Sequence, residues 1–290
     1  MNICLIYIEL IKNKKYKIYG VIKENKMKLI KMNEREYHAH EALGSSDIKQ
    51  LLQNPHEFRQ EKQTSKAQEL GSLVHKLILE PEEFANSYYV LDNIDRRTKD
   101  GKEKYLKALA EAEAENKEII DLATYQQGKE IAEAFNKTSV AKLLDKGVAE
   151  NCAFSEIDGV AVKCRPDYFR QDKNIIIDLK TTSLAGGASA LSFQKAVANF
   201  RYYIQASLYM QILNADEFYF IAIETQAPFM VGVYKLDISA LELGETQIKK
   251  ALKRYKNLSK YKANVYLDDS FKVVKELRLP NWCFYENDDE

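Results

Sequence analysis

An aspartate and a lysine two positions apart, Asp178 and Lys180, close a run of three β-branched residues, Ile175-Ile176-Ile177. The run reads as a buried strand, and the two-residue period of a strand points the acid and the amine to the same side. A second acid comes from Val160 to Phe169, another strand candidate, which carries Arg165-Pro166-Asp167 near its end. With Asp172 and Lys173 at a hairpin turn, the register sets Asp167 directly opposite Asp178. Asp-Lys is not a favoured two-residue turn, which leaves room for a shift of one or two positions. Two carboxylates facing each other across a ladder repel, and burial worsens it, so a divalent cation between them makes the arrangement reasonable. Hard oxygen ligands without a thiolate suit Mg²⁺ or Mn²⁺. The same residues also suit a surface hairpin in which Asp178 pairs with a nearby lysine.

The elements that must position these groups follow from pattern. Gly44-Ser45-Ser46-Asp47 opens a helix carrying Ile48, Leu51 and Leu52 and closed at Asn54-Pro55. Its serines read as caps, and Ser46 also as a phosphate contact at a helix N-terminus. A second helix, Ala67 to Leu79, has the apolar stripe Leu70, Leu73, Val74, Leu77 and Ile78. Gly71 and His75 lie four apart on an adjacent face, where the missing side chain lets a backbone or ligand approach. A lone helical histidine usually satisfies a neighbour, with a ligand role as the alternative. Tyr88-Tyr89-Val90 reads as the start of an irregular segment, Arg96 to Lys102 as a basic turn, residues 103 to 118 as an exposed helix and Tyr125 to Leu144 as another. Glu150 to Phe154 and Val160 to Phe169 are strands about a turn at Ile157-Asp158-Gly159. Ala185-Gly186-Gly187-Ala188 reads as a mobile loop beside a substrate. A long helix from Leu191 to Leu213 aligns Tyr202, Gln205 and Tyr209, a stripe that packing alone also explains. Two antiparallel strands, Glu217 to Glu224 and Met230 to Leu236, and a last helix, Ile238 to Tyr261, complete one α/β domain.

Composition narrows the class. With 43 Lys and Arg against 43 Asp and Glu the formal net charge is zero, so a nucleic acid must be held by a local basic groove. Cys4, Cys152, Cys164 and Cys283 form no CxxC pair, which argues against zinc or an iron–sulfur cluster. Reduced thiols in a cytoplasmic protein are the simplest reading. The apolar opening, Met1 to Ile11, lacks a preceding basic region and a cleavage site and is too short to span a bilayer, so no membrane role is expected. Residues 1–34 read as an appendage, 35–285 as the functional domain and 286–290 as an acidic tail.

Four elements together carry a resemblance. Gly71-Ser72-Leu73-Val74-His75, Arg165-Pro166-Asp167, Ile177-Asp178-Leu179-Lys180 and Gln205-Ala206-Ser207-Leu208-Tyr209 resemble the GxxxH, (K)xRPD, DxK and QxxxY elements of RecB-like nucleases in the PD-(D/E)xK superfamily. Gly44-Ser45-Ser46, Asn54-Pro55, Leu79-Glu80-Pro81-Glu82 and Leu279-Pro280-Asn281-Trp282 are similar to the RecE, exonuclease VIII type of phage exodeoxyribonuclease, over about residues 36 to 285. The resemblance implies a restriction-endonuclease-like core, a central mixed sheet flanked by helices. It implies His75, Asp167, Asp178 and the Leu179 carbonyl as metal ligands, with Asp167, Asp178 and Lys180 catalytic and Lys180 holding or deprotonating the attacking water. Gln205, Tyr209, Tyr202, Arg165, Lys163 and Ser46 form the implied DNA-contacting set, and Glu150 is a candidate outer-shell acid. The implied activity is Mg²⁺-dependent 5′ to 3′ degradation of linear double-stranded DNA by a tetrameric ring, yielding single strands for a phage annealing protein. An endonuclease or single-strand nuclease on the same site is the alternative. A catalytically silent DNA-binding module is disfavoured, because His75, Asp167, Asp178 and Lys180 are all present.

Overall fold

The computed structural model describes residues 28–60, 65–261 and 265–280. Most of the expected appendage, Cys4, Cys283, Asn281-Trp282 and the acidic tail lie outside the described residues. The strands are β1 (Ile30–Lys31), β2 (Tyr88–Leu91), β3 (Glu118–Asp121), β4 (Val148–Ala149), β5 (Asn151–Ile157), β6 (Val160–Cys164), β7 (Tyr168–Arg170), β8 (Ile175–Thr182), β9 (Glu217–Glu224) and β10 (Val231–Lys235). The longer helices are α1 (Glu34–Ala39), α2 (Ser45–Gln53), α3 (Lys66–Leu79), α4 (Lys99–Ala114), α5 (Leu122–Asn136), α6 (Ala190–Asn199), α7 (Tyr202–Leu213) and α8 (Ile238–Lys256).

A five-stranded sheet of order β10-β9-β8-β7-β4 forms the centre, antiparallel throughout except for the parallel pair β8 and β9. Side chains of β8 alternate between two cores, as the two-residue period requires. Ile176 packs with Ile204, Leu208 and Phe220 on the α7 side, whereas Ile175, Ile177 and Leu179 pack with Val74, Ile131 and Phe135 of α3 and α5 on the other. Helices cover both faces, which is what a continuously apolar strand with a parallel neighbour demands. The result is the expected α/β fold with a mixed sheet flanked by helices.

The hairpin between β7 and β8 has the register set by the sequence, with Tyr168 opposite Ile177 and Arg170 opposite Ile175. Its turn is longer than the expected two residues. Gln171 to Asn174 form a four-residue loop, with Lys173 N–H donating to the Arg170 carbonyl and Asn174 at φ 55°.

The strand expected over Val160 to Phe169 is broken. β6 pairs with β5 in a separate sheet of order β1-β5-β6, and the chain crosses to the central sheet at Arg165-Pro166-Asp167. Pro166 has no N–H to give a ladder, so it suits the crossing point. The long helix expected over Leu191 to Leu213 is likewise two helices, α6 and α7, hinged where Arg201 adopts φ 53°. Tyr88 to Leu91 is not irregular: it pairs in parallel with Glu118 to Asp121. The stretch expected as a helix to Leu144 ends at Asn136 and resumes as a 3₁₀ segment over Ser139–Leu144. The glycine loop is pinned rather than free, since Ala188 N–H donates to Glu224 Oε1 at 3.1 Å and Tyr234 O–H donates to the Ala188 carbonyl at 2.6 Å.

Candidate active site

Asp178 is fully buried on the α7 face of β8. Gln205 of α7 donates its Nε2 to Asp178 Oδ2 at 2.7 Å, and Lys180, two residues along the strand, makes an ion pair with Oδ1. The Lys180 ammonium is thus the partner of that oxygen and donates to the carboxylate, as Gln205 does to Oδ2. Burial, then the charge of Asp167, pushes the Asp178 carboxyl above the ordinary carboxylate range, with Lys180 and His75 opposing. Burial presses Lys180 the other way, but Asp178 and then Asp167 outweigh it and leave its ammonium more basic than usual.

Asp167 leads into β7 from the Pro166 crossing. Leu179 N–H donates to Asp167 Oδ2 at 2.7 Å, which holds this carboxylate at the end of β8. His75 Nδ1 of α3 lies 3.4 Å from the same oxygen. Gly71, one turn earlier, allows this approach: a Cβ there would stand 3.1 Å from Thr181 Oγ1 of β8. Glu150 joins the group, since ligand atoms of His75, Glu150 and Asp167 all lie within 4.8 Å of one another. Its N–H donates to the Asp167 carbonyl at 3.1 Å, and its carboxylate meets Arg165 Nε at 2.9 Å. Burial, then the Asp167 charge, raises the Glu150 carboxyl, with Arg165 opposing. Two acids and an imidazole, His75, Glu150 and Asp167, thus form the group close enough to share an ion among the described residues, a donor set of oxygen and nitrogen that suits a hard divalent cation. Asp178 lies outside that group while still feeling the charge of Asp167.

A family model described as a PDDEXK-like domain of unknown function, DUF3799, matches residues 43–265. The chain belongs to that family. No curated protein matches it. Among solved structures, a candidate exonuclease from Eubacterium rectale is 16% identical with a TM-score of 0.56, covering 87% of this chain and 96% of that one. A phage-related exonuclease from Haemophilus somnus is 14% identical with a TM-score of 0.36, covering 78% of this chain and 98% of its own. The family finding reaches the PD-(D/E)xK class and not the RecE branch within it.

The DNA-contacting set expected from the resemblance divides. Lys163 is buried, and its ammonium donates to the carbonyls of Tyr37 and His40, the latter at 2.9 Å. It therefore anchors the chain before α2 instead of facing a groove. Arg165 is committed to Glu150. Tyr209 is buried against Phe218, so its ring is core. Gln205 works inside the site as the clamp on Asp178. Tyr202 remains half exposed with the Lys180 ammonium 5.0 Å from its ring centre, and Ser46 is exposed on the first turn of α2. Neither serine caps that helix. Gly44 is the N-cap, and Asp47 Oδ2 accepts from its N–H at 2.9 Å. Sequence reasoning passed over Lys49, whose ammonium lies 5.3 Å from the Tyr202 ring centre. The available signal was its place three residues after Ser46, on the same helical face.

Proposed function

We propose that the chain is a Mg²⁺- or Mn²⁺-dependent DNA exonuclease that degrades linear duplex 5′ to 3′ in the cytoplasm and leaves single strands for a phage-type annealing protein. The observation that carries this reading is the group His75, Glu150 and Asp167, whose ligand atoms lie within 4.8 Å of one another, with the buried Asp178 carboxylate raised by burial and by the charge of Asp167. His75, Asp167, Asp178 and the Leu179 carbonyl would hold the ion, with Glu150 adjoining. A bound divalent cation supplies charge neutralisation at the phosphate oxygens and a more acidic water. Gln205 fixes the Asp178 carboxylate, and Leu179 N–H fixes that of Asp167, so both acids are oriented in advance. Lys180 retains its proton in the metal-free site and places a cation where negative charge develops on the phosphate. Family membership and the fold shared with the Eubacterium rectale protein support the class of chemistry. We take residues 35–285 as the nuclease domain and a cyclic homotetramer as the working assembly.

Calorimetry tests the metal site. Mg²⁺ or Mn²⁺ should bind the wild type, and Asp178→Ala should lose that binding because one carboxylate cannot hold the ion as two do. Undiminished binding in the variant would remove Asp178 from the ligand set. Lys180→Ala should bind metal and DNA nearly as well as the wild type but cleave at least ~10²-fold more slowly, the usual scale for such a group. A fall of affinity in step with rate would make Lys180 a docking residue instead.

A further inference from the structure

The ring of Tyr202 carries two ammonium groups, Lys180 Nζ at 5.0 Å from its centre and Lys49 Nζ at 5.3 Å. Lys180 is paired with Asp178, but Lys49 has no carboxylate within salt-bridge distance among the described residues. The placement of Lys49 is also tightly determined. Ile48 and Leu51 of α2 are fully buried, which fixes the rotation of the helix. Its entry is held by Leu43, which exchanges backbone hydrogen bonds with Ala161 and Lys163, and by the buried Lys163 ammonium. Its exit is held by Arg254 of α8, which donates to the Leu51 and Leu52 carbonyls at 3.0 and 2.7 Å. A flexible surface lysine needs no such framing.

The electrostatics run against this placement in the empty site. Burial, then Lys180, pushes the Lys49 ammonium down to about 8, with Asp178 opposing and Arg201 adding to the loss. A cation is thus held among cations, where only the aromatic face and a distant acid favour it. An anion between Lys49 and Lys180 reverses the balance, because each charge then gains a partner in a partly water-excluded setting. Ser46, exposed one turn earlier on the same face of α2, adds a hydroxyl beside the same approach.

We propose that Lys49 is a substrate-binding residue that holds a phosphate of the DNA strand against the Tyr202 face, next to the phosphodiester that Lys180 and the acids address. This rests on the nuclease reading given above. The phosphate is either a chain-terminal one or an internal one of the backbone, and the two differ in what removing the terminal group does.

The test compares wild type, Lys49→Gln and Lys49→Arg on a short duplex bearing a 5′-phosphate or a 5′-hydroxyl. Affinity is measured without metal across a salt series, and cleavage is measured with Mg²⁺. Loss of one phosphate contact should lower the slope of log affinity against log salt by about 0.9 in Lys49→Gln. KM should rise, calorimetric Mg²⁺ binding should be unchanged, and Lys49→Arg should restore the slope. A deficit confined to the 5′-phosphorylated duplex assigns the contact to the terminal group, and an equal deficit on both assigns it to the backbone. Cleavage by the wild type with an unchanged slope in Lys49→Gln overturns the Lys49 assignment and leaves the nuclease reading standing. A wild type that leaves both duplexes intact overturns the nuclease reading and the Lys49 assignment with it.

Discussion

At the scale of single residues, the site is a set of like charges that the fold forces together, and pH should reveal it. Glu150 is raised by burial and by Asp167, so between its ordinary value of 4.5 and its raised one the folded chain binds more protons than the unfolded chain. Stability contributed by this group is therefore lost as pH rises through that window, at up to about 1.4 kcal/mol per pH unit for one proton. Thermal unfolding in EDTA should show wild type losing ground to Glu150→Gln steadily from pH 5 upward. A constant offset between the two would mean that Glu150 is ionised throughout, held by Arg165. Asp178 and Lys180 were legible in the sequence because a strand's period alone places them together. Lys163 was not: a lysine near an acid reads as a DNA contact, and its real partners, the carbonyls of Tyr37 and His40, are backbone atoms more than a hundred positions away in the chain. The bond of Gln205 to Asp178 was not legible for a related reason, since only the packing of α7 on β8 turns its amide inward.

At the scale of elements, register and face were readable and continuity was not. The two-residue period of Ile175 to Lys180 decides which residues meet each core, and the hairpin centre gives the observed register, which ends at Tyr168 opposite Ile177, one residue short of Asp167. The breaks at Pro166 and Arg201 escaped because apolar patterning runs straight through them, while the choice of sheet or helix axis is made by distant partners. Among the elements that carry the site, α3 is set by its distance from β8, and Gly71 sets that distance. Gly71→Ala gains about 1 kcal/mol of helix propensity against a contact of 3.1 Å with a rotatable hydroxyl, so its stability should change little. Gly71→Val adds branches that have no such space and should push α3 and His75 outward. A misplacement of about 1 Å can cost on the order of 10²-fold in rate, and cleavage by Gly71→Val should fall on that scale while circular dichroism stays that of the wild type. Full activity in the folded valine variant would detach His75 from the chemistry.

At the scale of the whole molecule, zero formal charge means that the long-range field does not steer DNA to the site. In the proposed reading grip comes from local cations such as Lys49 and Lys180, and it should weaken with salt. No described helix is long and apolar enough to cross a membrane. The proposed ring of copies around the duplex would compensate for weak grip, because leaving then requires reaching an end of the DNA. Such an enzyme depends on ends by construction, whereas an endonuclease built on the same acids does not. The most direct measurement is therefore cleavage of one plasmid supplied as linear duplex and as covalently closed circle, with Mg²⁺ and with EDTA. The linear form should be lost rapidly, the circle should stay intact, and neither should be cleaved in EDTA. Circles cut as fast as linear DNA would contradict the exonuclease assignment, and undiminished cleavage in EDTA would contradict the metal site itself.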